Sequence, residues 1–157
     1  MSVSKALRSR GADNTKIAFA ALRVLLGLLF LTVWASNLHR GLYGPSGYEA
    51  LIRRYVADGD APGLWKDVMR LVADHAGLFA RVQLITELAL GLLLLFGALI
   101  RPTGLVAWSF LTSLWISELG VPGEWAWSLV FPAVIAFVVA LLPESRYLSL
   151  DARWRRQ

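Results

Sequence analysis

The residues able to do chemistry in this sequence are few, and two of them are charges embedded in apolar runs. Arg23 lies within the stretch from Ile17 to about Ser36, and Glu87 within Leu78 to Ile100. A charge in hydrocarbon is costly, so such residues are the natural place to look for function. At 1.5 Å per residue, Arg23 sits about 9 Å from the start of its run, within reach of snorkelling to the headgroups. Packing and a functional role are both open to it. Glu87 sits roughly 13 Å from one end of its run and about 20 Å from the other. Its short side chain cannot snorkel that far, so it must be protonated, paired or turned to a polar cavity. A carboxyl at that depth can relay a proton, or it can serve as a structural hydrogen bond between helices.

The two charges differ in depth by roughly 10 Å, which makes a direct ion pair a long reach. Gly27 and Gly91 lie one helical turn from them, on the same faces, and small residues let two backbones approach closely. The first two apolar helices are therefore expected to pack at these glycines, with Arg23 on one side of the contact and Glu87 on the other. Beyond Gly27 the same face runs through Phe30 and Trp34 to Asn37, and Gln83 lies one turn from Glu87. Ser117 and Ser128 reach a similar level from the later segments. Trp34, Asn37, Gln83, Ser117 and Ser128 are thus the expected lining of a polar, aromatic-walled pocket. Trp34, Trp115, Trp125 and Trp127 also fit an ordinary interfacial aromatic belt.

Other chemistry is excluded by composition. The chain has no cysteine, so it carries no disulfide, thiolate metal site or dithiol redox pair. His39 and His75 are too few for a haem or metal cage, and no metal site is expected. No phosphate loop, nucleophile elbow or paired-histidine helix is present. The net charge of +5 does not point to nucleic acid, because the basic residues cluster beside apolar segments, where topology explains them.

The elements that must position these residues follow from the charge pattern. Of 157 residues, 57% are hydrophobic and 17% charged, too little polar surface for a soluble domain of this size. Four apolar stretches, about 17–36, 78–100, 103–119 and 125–142, predict an all-α bundle of four membrane spans in a single domain. Pro132, in the last, is tolerated in a membrane helix. Lys5, Arg8, Arg10 and Lys16 precede the first stretch. The turn Arg101–Pro102 joins the second and third, and Arg146, Arg153, Arg155 and Arg156 follow the fourth. The connection Glu118 to Glu124 carries two acids and no base. The positive-inside rule then places both termini in the cytoplasm, in a plasma-membrane protein surrounded by lipid. The first stretch is long enough to span and lacks a small-residue cleavage pattern, so it is expected to be retained as an anchor.

The exception to the charge rule is the long segment 37–77, nearly balanced in charge and expected outside. Ser46 is placed to cap a helix with Tyr48, Leu51, Ile52, Tyr55 and Val56 on one side. The run Asp58-Gly59-Asp60-Ala61-Pro62-Gly63 ends it. A second helix, Leu64 to about Ala76, has Leu64, Val68, Leu71, Val72 and His75 on one stripe. Such helices lie on the interface or cap a bundle.

With these residues assembled, the chain resembles the DoxX/DoxD family of small four-helix membrane proteins. The likeness runs through Arg23-Val-Leu-Leu-Gly27-Leu-Leu-Phe30, Ala61-Pro62-Gly63-Leu64 and Glu87-Leu-Ala-Leu-Gly91. It continues through Leu95-Phe-Gly97 to Arg101 and ends at Glu124-Trp125. The resemblance implies a membrane subunit of a redox-linked, quinone-associated complex, with a partner subunit supplying electrons. Quinone would be the cofactor, and Glu87 and Arg23 would line or support its site as the catalytic pair. The alternative is a non-enzymatic membrane scaffold, or a protein that binds lipid or another apolar ligand. An oligomer is open to either reading. A transporter ranks last, because no repeat or paired half-helix is evident.

Overall fold

In the computed structural model the chain is all-helical. The structure describes residues 2–125 and 127–154, with side chains described for 13–125 and 127–153. The side chains of Lys5, Arg8 and Arg10, and all of Arg155 and Arg156, lie outside the described residues. In chain order the elements are α1 (Ser2–His39), α2 (Pro45–Asp58), α3 (Gly63–Asp74), α4 (Ala76–Phe96), α5 (Ile100–Ser117) and α6 (Trp127–Leu141). A 3-10 turn, Pro143–Arg146, and the short α7, Leu150–Trp154, complete the chain. Among the described residues, α1 over Asp13–His39 and α4 are long and apolar enough to cross a membrane, and α6 is a shorter apolar helix.

Small residues set the two main helix contacts. A Cβ on Gly27 would lie 2.7 Å from the backbone N of Leu95 and 3.0 Å from the Gly91 carbonyl. One on Gly91 would lie 2.7 Å from the Leu31 side chain. α1 and α4 therefore touch through backbone at these two glycines. α5 and α6 meet in the same way, since a Cβ on Gly104 would lie 2.8 Å from Cβ of Ala140. Leu26, Phe30, Leu94, Leu111 and Val139 fill the space between the two helix pairs. The outward faces are as apolar as this core: Leu25 is 61% exposed, Ile85 63% and Phe131 62%. A helix on the surface of a soluble domain carries polar residues there instead.

Several boundaries differ from the sequence expectation. α4 stops at Phe96, and the turn is Gly97–Leu99, so Arg101 and Pro102 belong to the first turn of α5. Gly97 caps α4 in the left-handed region at φ 68, which glycine adopts without a Cβ penalty. Proline fits a helix's first turn because the N–H it lacks has no intrahelical partner there. α5 ends at Ser117, leaving Glu118 and Glu124 in the following connection. Ser46 makes no side-chain cap. Gly44 is the N-cap of α2, and Pro45 opens the helix.

The segment between α1 and α4 folds as two helices over one end of the bundle. α2 buries Tyr48, Ile52 and Tyr55, with Leu51 and Val56 packed beside them. α3 turns differently from the stripe read in the sequence. It buries Met69 and Ala73, while Leu64 is 81% exposed and Leu71 56% exposed. Trp65, Met69 and Ala73 form the inward row at four-residue spacing, so Leu64, Val68 and Leu71 of the stripe face out while Val72 packs beside the buried row.

Candidate functional site

Glu87 is 1% exposed, midway along α4, and everything that touches its carboxyl group comes from the capped end of the bundle. Gln83, one turn earlier on α4, donates from Nε2 to Glu87 Oε1 at 2.8 Å. Asn37, in the last turn of α1, donates from Nδ2 to Oε2 at 3.3 Å. The Tyr43 hydroxyl donates to the same oxygen. Tyr43 reaches this position because the chain turns tightly after α1, with Leu42 N–H bonded to the Asn37 carbonyl at 3.0 Å and Gly44 N–H to that of Gly41 at 3.0 Å. Tyr48, from α2, extends the network by donating to Gln83 Oε1 at 3.0 Å. Burial first, and then the Glu87 carboxyl, push the Tyr43 hydroxyl well above its ordinary range, so it stays a donor. The same two causes push Tyr48 up to about 12.

A cavity of about 250 Å³ opens beside this network. Asn37, Gln83, Glu87 and Tyr48 line it, and Ser117 lines it from the end of α5. Ser117 accepts from Trp65 Nε1 at 2.9 Å and donates to the Ser113 carbonyl at 2.9 Å. At the mouth stand Glu118 and Glu124, with the Tyr55 hydroxyl 3.4 Å from a carboxyl oxygen of each. Arg40 and Arg54 also line the cavity, and Arg54 Nη2 donates to the Pro122 carbonyl at 2.8 Å. Burial, followed by the neighbouring Glu124 charge, pushes the Glu118 carboxyl up to about 7. The mouth is therefore two acids clasping one phenol, held in place by α2.

Three residues expected in the pocket, Asn37, Gln83 and Ser117, lie on the cavity wall with Glu87. Trp34 and Ser128 are not among its lining. Ser128 is exposed at the start of α6. The Trp34 indole N–H is buried with no hydrogen-bond partner among the described residues. Tyr43 is outside the sequence reading, and Tyr55, Glu118 and Glu124 enter it only through helix patterning and topology, not as site residues. Tyr48 and Tyr55 did sit on the inward face predicted for α2, but as apolar bulk and not as hydroxyl groups.

Arg23 belongs to the opposite end. It is 1% exposed and all its bonds go to main-chain carbonyls. Nε donates to Ser145 O at 3.1 Å. Nη1 donates to Leu94 O at 2.5 Å and Leu95 O at 3.1 Å, and Nη2 to Leu148 O at 3.2 Å. Leu94 is seven residues beyond Glu87 on α4, or about 10 Å along the axis. The Arg23 guanidinium and the Glu87 carboxyl therefore serve different ends of the molecule and make no ion pair with each other. No group of three or more His, Cys, Asp or Glu side chains suited to holding a metal ion is present among the described residues.

No protein-family model, curated protein or solved structure matches the chain.

Proposed function

We propose that the chain is a four-span membrane protein. In this reading α1, α4, α5 and α6 cross the bilayer, both termini are cytoplasmic, and α2 and α3 cap the outer end. The outward apolar faces support this, as does the exposed Leu64 and Leu71 stripe of α3, which suits a helix resting on a lipid interface. Within that frame the protein acts as the membrane subunit of a quinone-associated redox complex, as its resemblance to the DoxX/DoxD proteins implies.

The observation that carries the redox reading is the buried Glu87 carboxyl at the wall of a cavity, its direct hydrogen bonds all coming from the neutral donors Asn37, Tyr43 and Gln83. A cavity of about 250 Å³, lined by phenol, amide, carboxyl and guanidinium groups, fits a ring-sized headgroup that both accepts and donates hydrogen bonds. A bound quinone would supply the two-electron acceptor chemistry that this cysteine-free chain lacks. Tyr48 and Gln83 would orient the headgroup. Glu87, once protonated, would pass it one of the two protons that two-electron reduction takes up and be reprotonated through Tyr43, with Asn37 holding the carboxyl in place. Electrons would come from a partner subunit. Arg23 supports the site only indirectly, by fixing the far end of α4.

Gentle purification from the native membrane, followed by mass spectrometry, tests this reading. Quinone, or a redox enzyme in fixed ratio, is the expected companion. Glu87→Gln should then abolish quinone-linked electron transfer at wild-type abundance, and retained turnover would sink the proton relay. One observation favours a second reading, a non-enzymatic scaffold or apolar-ligand binder. Glu87 already receives three internal hydrogen bonds, which suffice for a structural role between α1 and α4. Phospholipid alone, with no stoichiometric partner, is the outcome that this reading expects.

A further inference from the structure

The end of the bundle opposite Glu87 carries two adjoining grooves that the proposed redox site does not use. One, of about 420 Å³, lies between the last turn of α4 and the C-terminal segment, with Leu95, Phe96, Leu148 and Arg153 on its walls. The other, of about 360 Å³, is lined by Lys16, Pro143, Glu144 and Arg146. Tyr147 and Ala152 line both, so the grooves share a wall.

Two features of this surface are unsatisfied by the chain itself. The first is apolar: Phe96 is 57% exposed and Leu148 is 76% exposed. Leu148 is also held at φ 51, a backbone region unfavourable for a residue with a Cβ. The second is cationic. The guanidinium groups of Arg146 and Arg153 have no ion-pair partner among the described residues. Lys16 is paired with Asp13 at 3.2 Å. Asp151, the acid nearest in sequence to Arg153, accepts from the backbone N–H groups of Leu99 and Ile100 at 2.8 and 2.9 Å. Glu144 is the one acid that lines either groove.

Uncommitted guanidinium groups above exposed aromatic and aliphatic walls call for a ligand that joins an anion to a long apolar body. Phosphate oxygens match the planar guanidinium fork, and acyl chains match the walls. We infer that these joined grooves bind an anionic phospholipid of the cytoplasmic leaflet. Its headgroup phosphate lies between Arg146 and Arg153, and its acyl chains lie along Phe96 and Leu148. This rests on the membrane topology proposed above, which puts the grooves at headgroup depth on the inner side, where basic pockets beside helix ends meet anionic lipid.

The test uses the full chain in detergent, with thermal protection titrated by phosphatidylglycerol and by phosphatidylcholine. A basic side chain near the membrane surface strengthens anionic binding about fivefold, so the pair should give a preference of about 25-fold. Arg146→Gln combined with Arg153→Gln should bring the preference close to unity. Arg101→Gln, an exposed arginine outside both grooves, should keep it. Equal protection by the two lipids, equal protection by inorganic phosphate, or an undiminished preference in the double variant overturns the inference. Carbonate extraction of native membranes separates this failure from a failure of the topology. A chain that resists extraction without headgroup preference loses only the lipid site, whereas a chain that is extracted loses both.

Discussion

Arg23→Met is the perturbation whose consequence the structure specifies most fully. At the end of α4, the N–H groups of Gly97 and Ala98 both turn back to the Leu93 carbonyl. The carbonyls of Leu94 and Leu95 take their hydrogen bonds from Arg23. The guanidinium also places a positive charge at the negative end of the α4 dipole. Its other two bonds, to Ser145 and Leu148, tie down the C-terminal segment. Each bond from a charged donor contributes about 1.5–3 kcal/mol, while burying the cation offsets part of the sum. A net loss of about 3–5 kcal/mol follows, because the methionine leaves four main-chain carbonyls without their donor at about 1–3 kcal/mol each, and the cation's desolvation cost is recovered. For a chain of this size that is a fall in Tm of roughly 6–20 °C. Arg23→Lys should fall in between, because an ammonium keeps the charge but cannot fork across three segments. Detergent melting measures the loss. Tryptic cleavage at Arg146, followed by mass spectrometry, shows whether the C-terminal segment has undocked. A fall of less than about 2 °C with unchanged cleavage would refute the assignment of Arg23 as the clamp.

Two further outcomes follow from other sites. Gly91→Leu should lower the detergent melting temperature more than Glu87→Gln does. The added side chain must displace Leu31 and part α1 from α4, an overpacking cost of about 1–3 kcal/mol or more; a wild-type melt for Gly91→Leu contradicts the backbone contact. Stability should also decline as pH rises from the ordinary carboxyl value of 4.5 to about 7, because the clasp at the cavity mouth holds a proton on Glu118 that the opened chain releases. Glu118→Gln should flatten that decline, with Glu124, Tyr55, Arg54 and Arg40 unchanged around it, and parallel melting curves over this range would rule the effect out.

Much of the helical framework was legible because burial in long apolar runs leaves a strong compositional trace. The Gly27–Gly91 contact followed from one helical turn of spacing. Helix ends were less legible. Hydropathy continues across Gly97, Ala98 and Leu99, so the apolar run reads on to Ile100. Only the direction of the Gly97 and Ala98 N–H groups shows where the helix stops. In α3 the apolar stripe was found, but its facing was not. Periodicity locates a stripe and leaves open whether protein or lipid covers it, and here the smaller row of Trp65, Met69 and Ala73 turns inward.

The candidate site divides along the same physical line. Counting residues along a helix gives height, which brought Asn37, Gln83, Ser117 and Glu87 to one level. It does not give azimuth, which is why Ser128 shared their level and yet stands exposed on α6. Tyr43 sits in a turn, outside any period, and is brought to Glu87 by the hydrogen bonds of residues 37–44. Arg23 is the deeper case. Its acceptors are four main-chain carbonyls, and every residue carries one, so no pattern of side chains could have pointed to them. An arginine in an apolar run invites a search for an acid in another. Here the acid is about 10 Å away along the axis, and the true partner is a helix end left open by a left-handed glycine. The sequence signal for such a clamp is the glycine break itself, Phe96-Gly97-Ala98, less than two turns beyond the small-residue contact that brings Arg23 beside it.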